Sequence, residues 1–163
     1  MKARRNKRSN GFTVAELITV IAIVAILACV AMPLANFGIR RQKEIELHER
    51  LRRITEAIDR FHELASQQAG STAAMKEPPP QQQGPWPKEL AVLTKPILLN
   101  SGQSVRLLRE RDLIDPMTGR AEWITLSADD DADTQSSNGN NVYEIHSKST
   151  ALALDGKTHY NEW

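Results

Sequence analysis

The 163-residue sequence has a single cysteine, only 5% aromatic residues and a formal net charge of +1. One cysteine excludes an intrachain disulfide, and because Cys29 lies in the most apolar stretch it is no aqueous nucleophile either. The chain is too short for a large multidomain enzyme and fits one ordinary domain with an appendage. The sequence has no Gly-x-Ser-x-Gly elbow, P-loop or dinucleotide fingerprint. Its four histidines, His48, His62, His146 and His159, form no His-Glu-x-x-His pair. His48-Glu49 and His62-Glu63 read as parts of a solvated helix face, so catalytic zinc has no support and the chain reads as a non-enzyme.

The small net charge hides an asymmetry. Lys2, Arg4, Arg5, Lys7 and Arg8 crowd the first eleven residues, whereas Asp129, Asp130, Asp131 and Asp133 crowd a stretch toward the other end. Without residues 1–11 the chain carries 16 basic and 20 acidic side chains. That balance argues against a nucleic-acid partner for the body of the protein, since phosphate binding requires a basic face.

Phe12 to Ala35 is a run of 24 residues whose one formal charge is Glu16, and about 20 apolar residues cross a hydrocarbon core. Basic residues before the run favour a cytoplasmic amino end and an exported carboxyl end. A secretory signal cut near Ala31 or Ala35, a plain signal anchor, and a lipoprotein signal at Ile26-Leu27-Ala28-Cys29 are competing readings. None of them accounts for Glu16. A carboxylate inside an apolar helix costs about 2.5–3.5 kcal/mol on insertion scales and calls for a cation. Cleavage between Gly11 and Phe12 would supply one, an α-amine four residues ahead. A neighbouring, axially shifted copy of the helix would satisfy that pair better than the same helix does, so Glu16 reads as a register-setting charge.

Lys7-Arg8-Ser9-Asn10-Gly11-Phe12-Thr13-Val14-Ala15-Glu16-Leu17 resembles the processing site of type IV pilins and type II secretion pseudopilins. The resemblance implies that residues 1–11 are a leader removed by a prepilin peptidase after Gly11. It also implies N-methylation of Phe12 and a role for Glu16 in subunit docking. Pro33 sits where such helices commonly carry a proline; it removes a helical hydrogen bond from the Cys29 carbonyl and permits a kink.

Beyond the span, Leu47, Leu51, Ile54, Ile58, Phe61 and Ala65 recur at steps of three and four, which predicts that the helix continues with one apolar seam packed on its own domain. Gly70 and Pro78-Pro79-Pro80 bound it, giving a helix over residues 12–69 that spans the membrane to about residue 35. Residues 70–86 read as an irregular connector within a globular region, 70–163. Pro87–Leu93 predicts a short helix, with Val105–Leu108 extending it or packing beside it. Asp115–Gly119 predicts a turn, and Trp123–Leu126 and Val142–His146 predict strands, with Asn138-Gly139 turning between them. The expected fold is α+β: a long amino-terminal helix on a small antiparallel sheet, a pilin-like arrangement.

A second resemblance covers most of residues 11–163. Trp86-Pro87 with Leu90 and Leu93, Leu113-Ile114-Asp115-Pro116, Tyr143–Ser147, and Ala153–Lys157 with a terminal Trp163 are similar in order to the major pseudopilins of type II secretion systems, the G subunit. This implies a structural subunit that sits in the inner membrane with a periplasmic domain. It implies polymerisation through the amino-terminal helix into a filament that drives protein export. The implied partners are the prepilin peptidase, further copies of the chain, minor pseudopilins, an inner-membrane platform protein and membrane lipid. A type IV pilus subunit and a non-polymerising, membrane-anchored binding domain are the alternatives. Such pseudopilins typically hold calcium, which makes Asp129, Asp131 and Asp133, with Asp155, candidate oxygen ligands. Thr134 and Asn140 exclude an EF-hand, and the acidic run precedes the Tyr143 strand rather than following it, so a solvated acidic loop competes with the calcium reading.

Overall fold

The first helical turn is set by Thr13, whose carbonyl accepts the Leu17 N–H at 3.1 Å and whose hydroxyl accepts the Glu16 N–H at 3.3 Å. A threonine cap three residues ahead of a glutamate satisfies backbone donors that the helix cannot. In the computed structural model, which describes residues 13–130 and 137–163 and only the backbone of Val30, Met32 and Pro33, helix α1 then runs Val14–Ser66. Its backbone stays helical through Pro33. The helix stops three residues short of the expected Ala69. There the chain turns, with the Ser71 N–H bonded to the Gln68 carbonyl at 3.0 Å and Gly70 at φ 94°.

Two units divide the chain, Met1–Arg40 and Arg41–Trp163. In the described part of the first, the apolar side chains are exposed, among them Val14, Ile18, Ile26, Leu27 and Leu34. In the second, α1 buries Leu47, Ile54, Ala57, Ile58, Phe61 and Leu64. Leu51 and Ala65 of the seam are partly buried against the same core. Met75, Leu93, Leu99, Leu108, Val142 and Ile145 close over the helix face. Each such side chain contributes about 1.5–3 kcal/mol by leaving water. Leu47, Ala153 and Tyr160 make a second, smaller cluster.

The fold is α+β, and among the described residues two separate antiparallel ribbons stand in place of the single sheet expected. β1 (Ile97–Leu98) pairs with β2 (Ser104–Val105), and β3 (Trp123–Leu126) pairs with β4 (Glu144–Ser147) in the register Trp123↔Ser147 to Leu126↔Glu144. The expected strand over 142–146 is thus shifted toward the carboxyl side. Val142 instead donates its N–H to the Pro87 carbonyl at 2.8 Å. Leu90–Thr94 is a 3₁₀ turn rather than an α-helix, and Leu108 beside it donates to the Leu93 carbonyl at 3.0 Å. The connector is less irregular than its composition suggests, because Met75 bridges Leu99 and is buried in the core.

The Asp115–Gly119 segment makes the expected turn. Asp115 is fully buried, accepting from Met117 N–H at 2.7 Å and from the Ser147 hydroxyl at 2.8 Å, so the turn is tied to β4. Gly119 closes it at φ 72°, a backbone region open to glycine without a Cβ penalty.

Candidate functional site

The head of α1 gathers the residues that the sequence singles out. Gly11 and Phe12 lie outside the described residues, so the expected cleavage and methylation positions do too. Glu16 lies in the first turn of the helix, exposed, with its own N–H held by Thr13. That position changes its energetics. The insertion cost quoted for a carboxylate refers to the middle of a span, whereas the first turn is where unsatisfied N–H groups and the helix dipole favour negative charge. Among the described residues no cation lies within ion-pair distance of the Glu16 carboxylate. Its demand for a counter-charge is therefore reduced but unmet within residues 13–130 and 137–163.

Around Glu16 the helix surface is apolar and polar groups are satisfied locally. The Thr19 hydroxyl donates to the Ala15 carbonyl at 2.9 Å, which removes a donor that would otherwise be costly in hydrocarbon. Leu17, Val20, Ile21, Ile23 and Val24 are all more than 45% exposed. A contiguous apolar face of this kind is a surface that lipid or another protein covers. By length and composition this helix is long and apolar enough to cross a membrane. Cys29 is free and exposed on it. The side chain of Pro33 lies outside the described residues.

The chain matches no protein-family model, no curated protein and no solved structure.

Of the candidate calcium ligands, Asp131 and Asp133 lie outside the described residues. Asp129 is exposed. Beside it, Asp130 accepts the Ser127 N–H at 2.8 Å and the Asn138 N–H at 3.2 Å, and these bonds, led by Ser127, hold its carboxyl below the ordinary value. Asp155 closes a separate loop: it accepts from Lys157 N–H at 2.9 Å and from the Thr158 N–H and hydroxyl at 3.1 and 2.7 Å, which keeps its carboxyl acidic as well. Among the described residues no three His, Cys, Asp or Glu side chains come together as a metal cluster. Asp130 and Asp155 act as loop closers here, each spending both carboxylate oxygens on its own turn.

Three polar anchors escaped the sequence reading. Glu44 accepts the Leu154 N–H at 2.7 Å and the Tyr160 hydroxyl at 2.8 Å, fastening the last residues to α1. Asp112, nearly buried, takes Arg50 at 2.6 Å and Arg53 at 3.5 Å. Asn141 accepts from the Ser127 hydroxyl and Ala128 N–H while donating to the Gln83 carbonyl. Only the Thr13 cap had a local signature, the Thr-x-x-Glu spacing; the other anchors join residues 13 to 116 positions apart.

Proposed function

We propose that the chain is a structural subunit of a type II secretion pseudopilus. In this reading a prepilin peptidase cuts after Gly11 and methylates Phe12, leaving the mature chain in the inner membrane with residues beyond the span in the periplasm. Copies then stack through their amino-terminal helices into a filament that drives protein export. The chain is the substrate of an enzyme and performs no catalysis of its own. The pilin-like character of the fold belongs to this proposal.

The observation that supports it most is a Glu16 with no cation within ion-pair distance among the described residues, on a helix whose large apolar side chains, Val14 to Leu34 among the described residues, are exposed. A helix that only anchors a domain needs the apolar surface and gains from the carboxylate no more than the modest stabilisation of negative charge in its first turn. A helix that stacks against axially shifted copies gains from both: the apolar face packs, and the carboxylate meets the α-amine of a neighbour.

Intact mass and amino-terminal sequencing of the protein extracted from its host membrane test the first step. The expected chain begins at N-methylated Phe12; an intact Met1 or a lipidated Cys29 refutes the proposal. For the second step, Glu16→Leu is expected to remain cleaved and membrane-inserted while filaments disappear in negative-stain images. Normal filaments from that variant would remove the docking role.

A further inference from the structure

A cleft of about 750 Å³ on the second unit collects arginines from two directions. Arg53 and Arg60 reach it from α1, and Arg106 and Arg109 from the segment between β2 and the 3₁₀ turn Glu110–Leu113. Their partners differ. Arg53 shares Asp112 with Arg50 and lies 3.5 Å from Glu49, and Arg60 pairs with Glu63 along the helix. Arg106 and Arg109 are exposed, and among the described residues neither has a carboxylate within ion-pair distance. The two carboxylates lining the cleft offer them little, since Asp112 already holds two guanidinium groups and Glu56 lies 3.7 Å from Arg52. The cleft is thus a cationic recess with two unspent guanidinium forks, a geometry matched to carboxylates.

The same chain carries a complement. Asp129, Asp130, Asp131 and Asp133 form a run with no base among them. Among the described residues, neither Asp129 nor Asp130 pairs with an arginine of its own chain. A subunit that polymerises head to tail presents one face to the copy before it and a different face to the copy after it. We propose that the Arg106–Arg109 cleft receives the acidic segment 129–133 of a neighbouring copy. This rests on the filament reading above. It gives the periplasmic region a charge-based contact that fixes orientation between copies, separate from the packing of the apolar helices.

Reversal and re-reversal of charge test it in the full-length chain expressed in its host. Arg106→Glu with Arg109→Glu is expected to lower filament yield about tenfold or more, because carboxylates then face carboxylates. Asp129→Lys with Asp133→Lys is expected to do the same. Combining all four substitutions in one chain is expected to restore filaments, an outcome that damage to the fold cannot produce. As a second readout, Arg106→Cys in one copy and Asp129→Cys in another, both with Cys29→Ala, should give a disulfide-linked mixed dimer on oxidation and far less when either variant is present alone. Wild-type filaments together with unaffected double variants, or no recovery in the fourfold chain, would overturn the contact and leave the filament reading standing. A wild-type chain that forms no filaments would overturn the filament reading itself, and the contact with it.

Discussion

Within one helix, residues 14–37 and residues 47–65 use apolar side chains in opposite ways. The first stretch is apolar on every side and exposes Val14, Ile26, Leu27 and Leu34; the second is apolar on one seam and buries Leu47, Ile54, Ile58 and Phe61 almost completely. Helical backbone is common to both. What differs is the intended solvent. All-round apolarity suits surroundings of hydrocarbon or other apolar helices, whereas a seam at steps of three and four suits a helix with water on one side and its own domain on the other. The change falls around Arg40 and Arg41, where the two units meet in sequence.

The largest expected effect sets these stretches against each other. Phe61→Ala should cost about 3–5 kcal/mol in urea unfolding of the full chain in detergent, since it removes a buried aromatic ring from the core. Leu27→Ala should shift the same transition by less than about 0.5 kcal/mol, because Leu27 is 64% exposed and packs on little of its own chain. Equal losses would break the distinction. A smaller loss is expected at Asp112→Ala, about 2–3 kcal/mol, which leaves Arg50 and Arg53 facing each other without their shared carboxylate. Adding Arg50→Met to that variant should recover part of the loss; no recovery would mean that Asp112 acts through something other than ion pairing.

The smallest effect concerns pH. Hydrogen bonds from Lys157 and Thr158 hold the Asp155 carboxyl below its ordinary value of 3.8 in the folded chain. The ionised form is therefore favoured by folding, and its contribution is complete above the unfolded value and lost as pH falls through the folded one. The melting-temperature gap between wild type and Asp155→Asn should be full at neutral pH and close as pH drops below 3.8. A gap independent of pH would show that the loop needs the side chain's shape rather than its charge.

Legibility in the sequence followed the range of the interaction. The helix, its seam and the strand at Trp123–Leu126 rest on periodicity within a few residues, and they stand close to where that periodicity put them. The end of α1 was legible to within three residues, because the reversal at Gly70 is a local turn; the docking of Met75 against Leu99 was less legible, because it depends on a partner far away in sequence. Glu16 was legible as an anomaly: one charge in an apolar run. Its place in a capped first turn, which softens that anomaly, was written in Thr13 and Glu16 but outweighed by the hydropathy around them. The arginine cleft left no signature, since Arg53 and Arg106 are brought together only by the fold.

The Glu44 clasp has a consequence for the order in which the chain acquires structure. Its acceptor lies on the helix, and its donors, Leu154 and Tyr160, lie 110 and 116 residues later. On a ribosome the helix emerges first and its Glu44 carboxylate must wait until the chain up to Tyr160, 116 residues later, has been made. Closing so long a loop carries an entropic cost that local helix formation does not. The seam around Ile54 and Phe61 can begin to collapse on Met75 and Leu93 well before that. The Leu47–Tyr160 end, with its contacts so distant in sequence, cannot close before those last partners are present.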